Sequence, residues 1–224
     1  MPTDHNPLIY KDSRSIGGRQ ILLFLAALPL IGLPVFWLLL DRSLMWVIGL
    51  FFGVCLVAVI AAVLPLGWAA LPALGFRAVG WRPVVFGALG TTAVSVAVSQ
   101  LGIEPQGVKQ AMQIAPGLAS FLTSLALLAG LAPLVEELIF RGLLFGWLAS
   151  RWGGGAAFLV SSLVFAAAHV EPAHAILVLP LGLLFGVLRW RTGSLWPSQQ
   201  AEKEAERQYE NGVRGLDVGG GEGE

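Results

Sequence analysis

The sequence predicts an all-α fold, a polytopic bundle of membrane-spanning helices. Its 224 residues are 56% hydrophobic and only 12% charged, with a mean hydropathy of +0.75, which is too apolar for an ordinary soluble domain. Apolar runs of span length follow one another at 21–40, 44–64, 84–103, 118–148, 153–170 and 173–188. Lys and Arg gather in alternate connections between them, as the positive-inside rule requires.

A span takes about 20 apolar residues. The first run follows a polar segment, 1–20, that carries Lys11, Arg14 and Arg19. It is too long for a signal-peptide core and no small-x-small cleavage site follows it, so it reads as a retained span. After 44–64 the chain stays apolar over 65–74, but Pro65 and Pro72 point to a helix end there. Segment 118–148 fits one tilted span or a helix broken near Pro133. Arg151-Trp-Gly-Gly-Gly155 is a turn, and Pro172 opens the last run. This makes about six to seven membrane helices, divided into an N-terminal group (21–114) and a second group (115–197).

With 118–148 counted as one crossing and the N-terminus inside, eight Lys/Arg are cytoplasmic (Lys11, Arg14, Arg19, Arg77, Arg82, Arg151, Arg189, Arg191) and two, Arg42 and Lys109, are outside. Counting two crossings gives five against five, so one crossing is preferred. Both termini are then cytoplasmic, and a bacterial cell membrane is the expected setting. Residues 198–224 are polar and then Gly-rich, a composition that cannot bury a core and predicts disorder. The formal net charge of zero gives no reason to expect a nucleic-acid partner. Cys55 is the only cysteine, which excludes a disulfide framework or a Cys-based metal site. No feature sets an oligomeric state.

The chemistry concentrates at Glu136-Glu137-x-x-x-Arg141, three ionisable groups inside a long apolar stretch. Charge at bilayer depth costs about 2.5–3.5 kcal/mol per residue, so such residues mark a functional site by default. Glu137 and Arg141 stand at i and i+4 with the acid first, the favoured order for an ion pair. The i+4 neighbour of Glu136 is Phe140. Glu136 is thus the carboxylate left over for general acid–base work. The alternative is that all three charges serve packing or reach an interface.

The second element is Phe165-Ala-Ala-Ala-His169. Phe165 and His169 share a helix face, and Ala166, Ala167 and Ala168 leave room for close helix approach. A His at a span end is by itself more often a structural contact. Spacing favours more here. Glu136 lies 17 residues before Gly153 and His169 lies 16 after it. In an antiparallel pair folded at that turn the two are level, able to share one water or one metal ion. His174, near the start of the next helix, reads as a boundary residue rather than a ligand. Glu171 reads as a loop charge, and His5 has no visible role.

Gly182 and Gly186 give a small-xxx-small packing face. Thr192-Gly193-Ser194 reads as a turn whose Ser194 can cap a following helix, with Trp190 and Trp196 suited to the membrane interface. Ser161 and Ser162 have no nucleophile-elbow context. There is no phosphate-binding glycine loop and no His-Glu-x-x-His pair.

Together, Glu136-Glu137-x-x-x-Arg141, Phe165-x-x-x-His169 and a Gly-x-x-x-Gly helix running into Thr192-Gly-Ser-Leu-Trp196 resemble the CPBP family. This is the CAAX-prenyl-protease and bacteriocin-processing (Abi-type) group of intramembrane endopeptidases. The resemblance covers about residues 115–197. It implies a bundle of roughly eight helices with an active site inside the bilayer and a membrane-associated or prenylated peptide as substrate. It implies that Glu136 and His169 activate a water, supported by Glu137, Arg141 and Phe165. The family is described both as metalloproteases and as glutamate proteases. A zinc ion held by Glu136 and His169 is one expectation, although catalytic zinc normally takes three protein ligands.

One element of the family pattern is absent. The family continues past the Thr-Gly-Ser-Leu-Trp turn into another apolar helix bearing a His and, four residues on, an Asn that complete the site. Here no His follows His174, and the only later Asn is Asn211. The last family helix is therefore expected to be missing, through divergence or a frameshift after Pro197. The alternatives are a catalytically impaired relative acting as a membrane binding or immunity protein and, more remotely, a small-solute transporter.

Overall fold

The computed structural model describes residues 15–37, 44–103, 105–106 and 117–195. Expectations for residues 1–14, 38–43 and 196–224, including Trp196 and the tail, lie outside these. Among the described residues every regular element is a helix.

Helix α1 (Gly18–Trp37) and helix α2 (Leu44–Val63) pack together through Phe24, Ala58, Val59 and Ala62. The core they form also takes in Leu74, Leu138 and Leu143. At the start of α1 the Gly17 N–H donates to the Gln20 side-chain oxygen at 3.0 Å, which satisfies one of the amides a helix leaves open at its beginning. Pro65 ends α2 as expected, but the chain does not become a plain loop. It winds through a 3₁₀ segment (Leu64–Ala69), kinks at Gly67 and forms the short helix α3 (Ala70–Leu74). Gly75, at φ 104°, closes α3 in a conformation that side chains other than glycine's rarely adopt.

Helix α4 (Trp81–Ser99) begins and ends a few residues before the expected 84–103 and has no buried residue. Its Gly87 and Gly90 face Leu188 and Leu184 of the last helix, where an added methyl group would sit 3.2 Å from each.

Helix α5 covers 118–152. Of the two readings of 118–148, the single unbroken span holds, and there is no break at Pro133. Instead the helix is π-wound over Leu125–Leu131, and Pro133 falls in the first turn of the α-helical stretch Ala132–Glu137. Proline lacks an N–H, and its ring crowds the carbonyl four residues back. The wider turn before it relieves both, so the helix continues. A second π-wound stretch, Leu138–Leu144, surrounds Arg141, and such stretches often accompany function. The break falls at Gly153 (φ 80°, ψ 168°), inside the expected turn.

Helix α6 (154–167) returns antiparallel to α5. Phe145, Leu148, Ala149 and Ala157 are buried between the two arms. Pro172 opens helix α7 (Pro172–Thr192) as expected, and α7 runs four residues beyond the expected end at 188. Gly182 of α7 meets Phe165, and Gly186 meets Phe158 and Ser162, so the small-residue face is the docking face. Of the three alanines before His169, only Ala166 is buried; Ala167 and Ala168 are exposed.

Among the described residues, five helical stretches are long and apolar enough to cross a membrane: Gly18–Trp37, Met45–Leu74, Trp81–Ser99, Leu118–Ala167 (α5 and α6 across the Gly153 break) and Pro172–Thr192. Large apolar side chains such as Leu30, Trp37, Trp46, Phe86 and Leu118 point outward, which suits lipid as the solvent. The chain is an all-α integral membrane protein.

Contacts gather the basic residues at one end. Gly18 lies beside the Arg151 guanidinium, Gly154 beside Trp190, and Gly75 beside Arg189. The Leu195 N–H donates to the Gly75 carbonyl at 2.7 Å, and the Ser194 hydroxyl donates to the Arg77 carbonyl.

Candidate active site

The site is built where α5, α6 and α7 meet. Arg141 has no solvent exposure. Its Nη1 contacts Oε1 of Glu137 at 3.1 Å, the expected i, i+4 ion pair, though the angle falls short of a hydrogen bond. Its Nη2 donates to the Gly182 carbonyl of α7 at 3.1 Å. The guanidinium carbon stands 4.2 Å from the Phe165 ring centre. A buried cation needs such partners, because desolvation otherwise costs several kcal/mol or more. Nε has no acceptor among the described residues.

Phe165 joins this cluster to the histidine. Its ring meets Phe140 of α5 edge to face at 5.2 Å and His169 edge to face at 4.9 Å. Phe140 lies 13 residues before Gly153 and Phe165 lies 12 after it. This is the offset that Glu136 and His169 share, one helical turn further out on each arm.

The His169 Nδ1 is 2.8 Å from the Phe165 carbonyl, which can only accept. Nδ1 therefore carries the proton, and in a neutral ring Nε2 is left as an acceptor. Glu136 is half-buried. Among the described residues no hydrogen bond or ion pair is made to its carboxylate.

His174 is where the sequence placed it, in the first turn of α7, but its ring also packs edge to face on His169 at 4.6 Å. The loop between them is tight. Val170 has a positive φ of 43°, and the Glu171 N–H donates to the His169 carbonyl. Glu171 lies in the loop before α7, and its Oε1 accepts from the Gln106 N–H at 2.8 Å. The Ser162 hydroxyl lies 2.8 Å from both the Phe158 and the Gly182 carbonyls, so it bridges helices. Ser194 ties the end of α7 to the corner after α3, and the helix it was expected to cap lies outside the described residues.

Two features escaped the sequence reading. Arg189, expected at the cytoplasmic boundary, is 4% exposed and donates from Nε to the Arg141 carbonyl at 3.0 Å. A cavity of about 290 Å³ opens between α4 and α7. Glu137, Phe185, Leu188, Arg189 and Thr192 line it, but Glu136 and His169 do not. The Gly87 and Gly90 spacing in α4 was the one sequence signal for this second packing face.

A zinc site fits these residues poorly. Among the described residues no group of three His, Cys, Asp or Glu side chains is placed to hold a metal ion, whereas catalytic zinc takes three protein ligands.

Comparison with known proteins agrees with the motifs. Residues 118–199 match the family model described as type II CAAX prenyl endopeptidase Rce1-like. A 64-residue stretch is 36% identical to the "Putative membrane peptidase YdiL" of Bacillus subtilis (strain 168). The match spans 29% of this chain and 26% of that protein. No solved structure matches. Through residues 118–199, its α5–α7 core, the chain is similar to the Rce1-like type II CAAX prenyl endopeptidases, and the curated relative it matches is spanned over only about a quarter of its length.

Proposed function

We propose that the protein is an intramembrane endopeptidase that hydrolyses a peptide bond of a membrane-associated or prenylated substrate. One observation carries this reading. The continuous chain of contacts Glu137–Arg141–Phe165–His169 holds the two motif helices in register, and in this reading Glu136 and His169 are level one turn further out, as their spacing about Gly153 implies.

In this reading a water donates one hydrogen bond to Glu136 and one to Nε2 of His169. As its oxygen attacks the peptide carbonyl carbon, Glu136 takes a proton. The C–N bond then breaks, and that proton passes to the departing amine. Glu137 stays ionised against Arg141 and fixes the helix turn that carries Glu136. No step is routed through a metal ion. The basic end formed by Arg77, Arg151, Arg189 and Arg191 is the cytoplasmic end by the positive-inside rule.

Cleavage of a membrane-anchored peptide by purified protein in lipid tests the proposal. Glu136→Ala and His169→Ala are expected to abolish measurable cleavage; full cleavage by either overturns the assignment. The missing His and Asn after His174 favour a second reading, a non-catalytic member that binds a peptide at the membrane. Capture of such a peptide without cleavage, undiminished in Glu136→Ala, is the result that reading expects.

A further inference from the structure

Arg189 is a buried cation that lies outside both motifs. At 4% exposure its guanidinium must be satisfied by the protein. Its Nε donates to the Arg141 carbonyl on α5 at 3.0 Å, and Nη2 reaches the Leu74 carbonyl at the end of α3 at 3.4 Å. Its guanidinium carbon lies 5.2 Å from the centre of the Phe145 ring. One side chain of α7 thus reaches two other elements, α5 and the end of α3.

The corner after α3 is shaped around this group. A methyl group added at Gly75 would meet the guanidinium carbon at 2.5 Å. The Leu195 N–H donates to the Gly75 carbonyl and the Ser194 hydroxyl to the Arg77 carbonyl, so the corner is closed over Arg189 from the far side. On α5 the contact falls within the π-wound stretch, on the backbone of the residue whose side chain holds Glu137. Arg189 and Glu137 also share the cavity between α4 and α7.

We propose that Arg189 is a positioning residue of the active site: it fixes the Glu136–Arg141 turn of α5 against α7 and against the Leu74–Gly75 corner. It acts through the backbone of Arg141. Lysine is a poor substitute, because the planar guanidinium presents donors in two directions and an ammonium on a flexible stem does not. The proposal rests on the proteolytic reading for its catalytic consequence and on geometry alone for its structural one.

The test uses the full chain in lipid with Arg189→Met, which keeps most of the packing on Phe145, and Arg189→Lys. In Arg189→Met, kcat is expected to fall on the order of ten- to a hundredfold, since small misplacements of reacting groups cost that much. KM is expected to stay within about twofold of wild type, and Arg189→Lys to recover part of kcat. Amide hydrogen exchange is expected to quicken in two segments, 136–142 and 74–77. Wild-type kcat in folded Arg189→Met overturns the proposal, as does a loss of thermal stability with kcat per folded molecule unchanged. If the wild-type protein cleaves nothing, the proteolytic reading fails and exchange alone decides. Quickening confined to the two segments then supports the positioning role, and unchanged or uniformly raised exchange overturns it.

Discussion

Nη2 of Arg141 donates to the carbonyl of Gly182 at 3.1 Å, and a Cβ on Gly182 would sit 2.9 Å from the Phe165 ring. The close approach of α7 to α6 and the satisfaction of the buried arginine are thus one packing event. Gly182→Ala is expected to destabilise the protein by about 1–3 kcal/mol, the usual cost of overpacking. Denaturant titration in mild detergent measures this. A change below about 0.5 kcal/mol, the range of neutral surface substitutions, contradicts the packing account.

Breaking a buried ion pair on one side leaves the other charge uncompensated, at a cost of about 3–5 kcal/mol. Arg141→Met is expected to lose stability in that range. Removing both charges in Glu137→Gln/Arg141→Met is expected to be less damaging than Arg141→Met alone. A double variant that loses the sum of both single losses means that Glu137 and Arg141 do not act as a pair.

Glu136 lies well away from the Gly153 turn and Arg151. Glu136 precedes Gly153 by 17 residues, about 25 Å of helix at 1.5 Å per residue. With the basic end cytoplasmic, the His169–Glu171 loop faces the other side of the membrane. Val170 is 89% exposed and Cys55 is 4% exposed. In a Cys55→Ala background, Val170→Cys is expected to react with an impermeant maleimide added to intact cells. Arg151→Cys is expected to react only after permeabilisation. The opposite pattern reverses the orientation.

The parts of this structure set by local spacing were legible in the sequence. The Glu137–Arg141 pair and the Phe165–His169 contact are i, i+4 relations, and the fold at Gly153 follows from a residue type that tolerates positive φ. Those spacings also predicted the register that Phe140 and Phe165 display. What was not legible depends on long-range contact. Arg189 reads as an interfacial charge until Leu74, 115 positions earlier, supplies a carbonyl for it. His174 reads as a boundary residue until the Val170 turn folds its ring onto His169. The π-wound stretches of α5 leave no periodic signal, so a break at Pro133 stayed open as a reading although the widened turn before it absorbs the strain.

The His174 ring packs edge to face on His169 at 4.6 Å, and the proposed mechanism gives it no reacting role. His174→Phe, which preserves the edge-to-face contact, is expected to keep cleavage within about threefold of wild type, and His174→Ala to reduce it further, as aromatic pairs contribute about 0.5–1.5 kcal/mol. Loss of all cleavage in His174→Phe contradicts this and makes the imidazole itself part of the chemistry.

The central claim is that Glu136 and His169 act on one water. Single-turnover cleavage rates for Glu136→Gln, His169→Ala and the double variant test it most directly. Each single change is expected to cost about 10²–10⁴ in rate, and the double variant to be no slower than the slower single one, because groups acting as a unit are not additive. A full rate in either single variant, or losses that multiply in the double variant, contradicts the claim.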